Sequence, residues 1–373
     1  MSKPEKMSSP ALAVSADANV KFNTDGSFQR TLKARVDAYF ASTGQKPRDC
    51  IQMYVKSAII MGWFAASYIL LVCFAGNWWQ AILSSISLSL SIAAVAFNIQ
   101  HDGGHKAYSK RSWINRLMAT SLDLLGGSSY IWDHKHNTVH HTYANITDHD
   151  DDIDLGFLAR LSPHQKRLGI HRLQHLYLWI LYGFLPIKWQ LYDDFHDVIV
   201  GRVGTHSFAR PRGKALAIFI AGKVASLSLA FVVPLFFHSI WAVLLFYVIV
   251  LHLNGVILAV VFQLAHVVEE SSFPMPDTVS NKMDDPWAIH QVQTTVDFAR
   301  NNPFLTWYLG GLNYQVEHHL FPRICHINYP RISKMVEEVC TEFGIRYNAN
   351  KTMLSAICSH YRWLRTMGKP TAG

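Results

Sequence analysis

Residues 78–105 have the sequence W-W-Q-A-I-L-S-S-I-S-L-S-L-S-I-A-A-V-A-F-N-I-Q-H-D-G-G-H. The first 22 of them carry no charge, and their polar members are Gln80, Asn98 and several serines. A helix of about 20 mostly apolar residues is long enough to cross the hydrocarbon core of a bilayer. The stretch therefore predicts a transmembrane helix, with His101 and His105 directly beyond the end of its apolar run.

Three further apolar runs have a similar length. Residues 57–75 carry no charge, residues 215–237 carry only Lys223, and residues 240–262 carry none, although His252 and Asn254 lie inside that run. Buried helices of a soluble protein rarely include four such runs. We therefore predict an all-α integral membrane protein whose four transmembrane helices cover about 57–75, 78–99, 215–237 and 240–262.

The short connections between these runs predict two helical hairpins. Only Gly76–Asn77 separates the first two runs, and only His238–Ser239 separates the last two. The other ends of the runs are flanked by basic residues, which by the positive-inside rule face the cytoplasm together with both termini. These basic loops beside anionic lipid also account for the net charge of +8, and no basic run is dense enough to indicate nucleic-acid binding.

Seven histidines fall into three motifs: H-D-G-G-H at 101–105, H-N-T-V-H-H at 136–141 and Q-V-E-H-H at 315–319. Within each motif a spacing of three or four residues places polar side chains on one face of a helix. An even number of predicted spans separates the motifs, so all three lie on the same side of the membrane, in a helical cap. This convergence indicates a metal centre.

The number of nitrogen donors indicates two metal ions. Imidazole suits iron, copper, zinc and nickel, so the ligand type does not choose the metal. His266, at the end of the fourth apolar run, is a further candidate donor, and eight or nine donors exceed what one ion accepts. A transporter or sensor of metal ions is an alternative, but its donors should lie near the middle of the spans.

With these motifs the chain resembles membrane fatty acid desaturases of the histidine-box superfamily. The similarity covers about residues 55–345, including W-D-H-K-H-N-T-V-H-H-T-Y at 132–143 and D-D-D-I-D-L-G at 150–156. The third motif begins with glutamine, as in the front-end branch. The resemblance implies a non-haem centre of two iron ions with eight ligands: His101, His105, His136, His140, His141, His266, His318 and His319. Whether Gln315 also coordinates is left open.

The resemblance further implies an oxidoreductase that uses O₂ and two electrons to insert a double bond into a fatty acyl chain carried by a lipid or by CoA. The front-end branch implies a Δ6 or Δ5 position. A histidine-box hydroxylase of lipids or alkanes is the enzymatic alternative. Asp102, Asn137 and Glu317 are candidates to orient the ligand histidines by hydrogen bonds, and the acidic stretch 148–156 is another.

The segments outside the apolar runs complete the predicted organisation. In residues 1–55, Phe28, Leu32, Val36 and Phe40 recur every four residues, which predicts an amphipathic helix. Residues 56–345 form the predicted desaturase domain, and residues 346–373 a cytoplasmic tail. The sequence contains no H-P-G-G haem motif of a fused cytochrome b5 domain, so we expect electrons from a separate ferredoxin or cytochrome b5 with its reductase.

Overall fold

The structure, a computed structural model, describes residues 20–370 and is mainly helical. Within that range four helices are long and apolar enough to cross a membrane, as predicted. We call them span 1 (Ile51–Phe74), span 2 (Trp78–Gly104), span 3 (Lys214–Leu235) and span 4 (Ile240–His266). Spans 2 and 4 extend past their predicted ends, and these extensions carry histidines of the candidate site.

Polar side chains join the spans in a mostly apolar setting. Ser87 of span 2 is bonded to two residues of span 1, because its hydroxyl lies 2.9 Å from Trp63 Nε1 and 2.7 Å from Ser67 Oγ. Ser89 of span 2 donates to the carbonyl of Val250 in span 4 (2.9 Å). Small hydroxyl residues of this kind let helices approach closely and bond across their interface.

The remaining helices surround the ends of spans 2 and 4 at which the histidines lie. Several are short, and Asp133–His140 is a π-helix between two α-helical pieces. The α-helices of at least four residues that the structure describes outside the spans are Ser27–Thr43, Ser112–Ala119, Ser121–Leu125, Ser129–Trp132, Gln174–Leu181, Leu185–Lys188, Asp194–Val200, Trp287–Thr294, Pro303–Tyr308, Gln315–Leu320, Tyr329–Glu342 and Met353–Met367.

Sheet structure is limited to three pairs of short strands within the described residues. Lys21–Asn23 pairs in parallel with Lys282–Pro286, and Arg202–Val203 pairs antiparallel with His206–Ser207. Asp297–Phe298 pairs in parallel with Ala349–Asn350. These pairs connect segments of the cap, and the architecture stays helical as predicted.

The predicted amphipathic helix of the N-terminal segment is present as Ser27–Thr43. Phe28, Leu32 and Val36 are each 1% exposed, and they pack in one apolar cluster with Val316 and Leu320 of the third histidine motif. The helix therefore supports the candidate site directly.

The C-terminal segment differs from the tail that we expected for residues 346–373. Met353–Met367 is a helix whose Leu364 is fully buried, and His360 Nε2 lies 2.9 Å from the hydroxyl of Tyr182. The apolar residues on one side of this helix were visible in the sequence, but their partners lie almost 200 positions earlier. Up to residue 370, this segment is thus part of the folded cap.

Candidate metal centre

All eight histidines predicted as ligands converge, and each is at most 7% exposed. In one group, one nitrogen from each of His101, His105, His136 and His318 lies within 4.8 Å of the others. A second group meeting the same distance contains His140, His266 and His319, and a third contains His141, His318 and His319. Two neighbouring sets of imidazoles, with His141 between them, form the candidate centre.

The first motif depends on a close approach between its helix and two neighbouring helices, Ser112–Ala119 and Ser129–Trp132. A Cβ atom at Gly104 would lie 2.1 Å from the ring of Trp132, and a Cβ atom at Gly103 would lie 2.6 Å from the backbone nitrogen of Ala119. Only glycine fits at either position without a shift of the neighbours. The two glycines of H-D-G-G-H therefore allow the ring of His101 to come within 5.3 Å, centroid to centroid, of His136.

The second motif is a π-helix rather than the α-helix that we expected. Nε2 of His136 lies 3.3 Å from Nε2 of His141, five residues later. In an α-helix of 3.6 residues per turn, residues five apart point about 140° away from each other. The i→i+5 bonding of a π-helix aligns them instead, and such segments often occur at functional sites.

Four of the histidines are oriented by hydrogen bonds at Nδ1. His140 donates to both carboxylate oxygens of Asp150 (3.2 Å each), and His266 donates to the carbonyl of Thr294 (3.1 Å). His319 Nδ1 lies 2.8 Å from Oε1 of Gln291, and His318 Nδ1 lies 3.3 Å from the hydroxyl of Tyr329. The first three of these partners are acceptors, and an acceptor at Nδ1 selects the tautomer that leaves Nε2 as the electron-pair donor.

Of these four partners, only Asp150 lies in a stretch that the sequence singled out. Asp150 belongs to the acidic stretch 148–156, which we expected to contact ligand histidines. Gln291, Thr294 and Tyr329 carry no local signal in the sequence. Gln291 and Thr294 lie 28 positions from the histidines that they contact, and Tyr329 lies 11 positions from His318, so no short motif links them. Their role follows only from how the helices pack.

Asp102, Asn137 and Glu317, which the sequence suggested as residues that orient ligand histidines, make other hydrogen bonds. Asp102 accepts from Nδ1 of His326 (3.0 Å), and Asn137 donates to the carbonyl of Gly104 (3.0 Å). Glu317 accepts from the hydroxyl of Tyr347 (2.9 Å). The bond of Asn137 joins the second motif to the first, and the other two join a motif to a surrounding segment; none of the three is made to a ring of a predicted ligand.

Gln315 lies beside the second group of imidazoles. Its Nε2 atom is 3.1 Å from Nε2 of His266, the nitrogen left free by the bond to Thr294. The other amide atom of Gln315, Oε1, is buried without a hydrogen-bond partner among the described residues. The Gln315 amide is thus close enough to share a ligand position with His266.

Burial keeps most of these imidazoles in the neutral form that binds metals. Desolvation, reinforced by the neighbouring histidines, lowers the pKa of His105, His136, His318 and His319 well below the ordinary value. His140 is different. Burial lowers its pKa, but the raising effect of the negative charge nearby, mainly that of Asp150, is larger, so the pKa of His140 lies above its ordinary value. The charge of Asp150 makes His140 the most basic of these ligand candidates.

The donor set fits metal ions. Buried nitrogens without a partner in residues 20–370 include Nε2 of His101, His105, His318 and His319, together with Nδ1 of His141. Unpaired buried polar atoms of this kind are costly, and several that face one volume point to a cation as their common partner. Neutral imidazoles are ligands of iron, zinc, copper and nickel.

Two adjacent cavities lie between this centre and the membrane-spanning region. A cavity of about 70 Å³ lies beside His101 and Trp132, and a cavity of about 400 Å³ lies between the four spans. Four residues line both: Ile92, Leu125, Gln190 and Leu251. Neighbouring, mostly apolar cavities between the metal centre and the spans suit an alkyl chain.

Comparison with known proteins identifies the family. The family profile described as "Fatty acid desaturase" matches residues 76–351. The chain belongs to the fatty acid desaturase family. It is therefore an integral membrane oxidoreductase that desaturates fatty acids, a family that is generally iron-dependent.

Curated relatives of this desaturase match almost its whole length. The sn-1 linoleoyl-lipid 6-desaturase of Synechocystis sp. is 41% identical over 94% of this chain and 98% of that protein. The protein of the same name from Arthrospira platensis is 40% identical over 95% and 96%. The acyl-lipid (8-3)-desaturase of Physcomitrium patens is 36% identical over 91% of this chain and 72% of its own length. The desaturase is thus of the front-end type.

Proposed function

We propose that this desaturase introduces a Δ6 double bond into an unsaturated acyl chain esterified to a membrane lipid. The proposal rests on the relatives named 6-desaturases of linoleoyl lipid, which share 40–41% of their residues with this chain over nearly its full length. The overall reaction consumes one O₂, two electrons and two protons, and it converts –CH₂–CH₂– into –CH=CH– with release of two water molecules.

We further propose that two iron ions are held by the eight histidines. One ion would be bound by His101, His105, His136 and His318, and the other by His140, His266 and His319. His141 lies between the two groups, and Gln315 is a candidate for a further position near His266. The observation that carries this proposal is the set of buried, unpaired imidazole nitrogens facing one volume.

When bound, iron would supply the oxidising power that removes hydrogen from an unactivated methylene. The chain's own residues bind and orient the substrate. Phe97 and Trp132 line the small cavity beside His101 and would hold the acyl chain next to the metal-facing side, just beyond the two reacting methylenes. The closely packed cap excludes water from this place, which protects a strong oxidant from side reactions.

The electrons would come from a separate acidic carrier, either a ferredoxin or a cytochrome b5 with its reductase. Exposed basic side chains offer a docking surface for such a carrier, notably Lys110, Arg111 and Arg172. We propose that these residues, both termini and the metal centre face the cytoplasm, with the four spans arranged as two hairpins. Residues 56–345 would form the catalytic domain, on which residues 20–55 and 346–370 pack.

Metal analysis tests the proposed ligand set. Purified protein should contain two irons per chain. His318→Ala should lose iron and activity while keeping the helical content, whereas His196→Ala, on an exposed histidine, should change neither. One metal ion per chain, or zinc with full turnover, would contradict the proposal.

Fatty acid profiling tests the reaction and its position. Cells that express the chain and contain linoleoyl lipid should accumulate a product with a new bond at Δ6. Lengthening the acyl chain by two carbons should leave the position unchanged when it is counted from the carboxyl carbon. A constant distance from the methyl end, or a Δ9 product from stearoyl chains, would refute the regiochemistry but not desaturation.

Reconstitution tests the electron donor. Membranes washed free of soluble and peripheral redox proteins should be inactive with NADH or NADPH alone. Activity should return when ferredoxin or cytochrome b5 is added with its reductase. Full activity of the isolated chain with NADPH would contradict a separate donor.

A further inference from the structure

Three amide side chains line the small cavity beside His101. An alkyl substrate in this cavity has no group that forms a conventional hydrogen bond with them. They are Gln100, Gln190 and Asn254, each at most 5% exposed. Nε2 of Gln100 and Oδ1 of Asn254 have no hydrogen-bond partner anywhere in the described part of the chain. A polar atom left unpaired in an apolar cavity needs a functional explanation.

The third amide, that of Gln190, is held in a fixed orientation. The hydroxyl of Tyr247 in span 4 donates to Oε1 of Gln190 (2.7 Å), and Lys223 Nζ in span 3 donates to the backbone carbonyl of the same residue (3.2 Å). The NH₂ end of Gln190 packs on Gly126, where a Cβ atom would lie only 2.2 Å from Nε2. Gly126 also has φ +100°, a conformation that side chains rarely adopt. Tyr247 and Gly126 thus hold the amide of Gln190, a residue that lines both cavities.

The direction of the cavities tells which part of the substrate reaches these amides. The larger cavity continues between the four spans to Trp78 and His238, at the ends of the spans opposite the histidines. An ester and its headgroup belong at the polar surface of the membrane, so the apolar cavity takes the methyl end of the chain. The small cavity therefore holds the carbons just beyond the reacting pair, toward the methyl end.

We propose that Gln100, Gln190 and Asn254 are specificity residues that recognise a double bond already present in the acyl chain. On this part of an acyl chain the only group with an uneven charge distribution is a C=C bond. Its π face accepts a weak hydrogen bond from an amide N–H, and its polarised C–H groups approach an amide oxygen favourably. A saturated chain would leave the same amide atoms unpaired. This inference rests on the proposed function, because it assumes that the methyl end enters the larger cavity.

A competition experiment tests the inference on the full-length protein. Membranes containing stearoyl, oleoyl and linoleoyl lipid in equal amounts are incubated with wild-type protein or with Asn254→Leu, which keeps the branching and the number of heavy atoms of the side chain but removes its polar atoms. The ratio of desaturated linoleoyl to desaturated stearoyl product should fall by about fivefold in Asn254→Leu. Because both products form in one reaction, this ratio does not depend on the amount of folded protein.

Two further variants complete the test. Gln100→Leu should lower the same ratio, so the inference survives if Asn254→Leu does not fold. Ile257→Leu, a volume-conserving change on the same helix at a residue that lines neither cavity, should leave the ratio within about twofold. An unchanged ratio in both amide variants, or a wild type without preference for unsaturated chains, would overturn the inference. If wild-type protein makes no double bond in any of the three chains, the proposed function fails instead.

Discussion

Gln291 Oε1 lies 2.8 Å from Nδ1 of His319, and both side chains are fully buried. The glutamine lies on the helix Trp287–Thr294, and the histidine belongs to the third motif, 28 positions later. Because the amide oxygen accepts the Nδ1 proton, Nε2 of His319 is left to face the other imidazoles. The orientation of one candidate ligand thus depends on a residue outside all three motifs.

Replacing Gln291 by leucine should weaken metal binding. The variant leaves the His319 ring without its acceptor, and the loss of such a partner typically costs about 10–100-fold in metal affinity or activity. Iron content and turnover of Gln291→Leu measure the effect. Gln293→Leu, on the same helix but bonded to Asp285 instead, is the matched control. Equal iron content and turnover in the two variants would show that the contact is not needed.

Asp150→Asn should also lower activity by about 10–100-fold. Asp150 accepts from His140, and its charge is the reason that the pKa of His140 is raised. An asparagine keeps the size of the side chain but removes that charge. Asp154→Asn provides the comparison, since Asp154 is exposed and accepts only from the backbone of Gly156 in the described structure. The idea fails if the two variants have the same turnover and iron content.

Lys223→Met should destabilise the fold by about 3–5 kcal/mol. Lys223 donates to Asp194 (2.7 Å) and to the carbonyl of Gly126 (2.6 Å), and its removal leaves a buried carboxylate without a counter-charge. Thermal unfolding in detergent measures the change. The double variant Lys223→Met/Asp194→Leu should regain part of the loss, since it removes both charges.

The matched control for that pair is Lys188→Met. Lys188 also bonds an aspartate, Asp193, but its side chain is 63% exposed. Exposed ion pairs contribute little to stability, so this variant should melt within about one degree or two of the wild type. Similar losses in Lys223→Met and Lys188→Met would contradict a special role for the buried pair.

The wild type should lose more stability than Glu317→Gln when the pH is raised. Burial, and then the nearby Asp297, raises the pKa of Glu317 well above its ordinary value. The folded state therefore holds this proton more tightly than the unfolded chain, and the associated stability is present at low pH and lost as the pH rises through the folded pKa. Glutamine has no proton to lose.

Melting temperatures of the two proteins at about pH 5 and about pH 8 test this sign. The wild type should lose more stability than Glu317→Gln on going to the higher pH. Glu338→Gln, on a side chain 66% exposed, should follow the wild type. A parallel loss in wild type and Glu317→Gln would show that Glu317 is already ionised at the lower pH.

Much of the architecture could be predicted from the sequence because its signals are local. An apolar run of about 20 residues is enough to specify a spanning helix, and a four-residue repeat is enough to specify the helix Ser27–Thr43. The eight histidines were recognisable for the same reason. Each lies in a short motif or at the end of an apolar run, and in the folded protein these positions lie close together.

The sequence by itself thus determined the spans, the family and the set of histidines. Only the tertiary structure decided that a π-helix turns His136 toward His141 at its end, that Gln291 holds His319, and that Gln190 lines both cavities. Helix period and apolar length are properties of neighbouring residues, so a single stretch encodes them. Contacts between residues far apart depend on how whole helices pack, and no local pattern of residues contains that information.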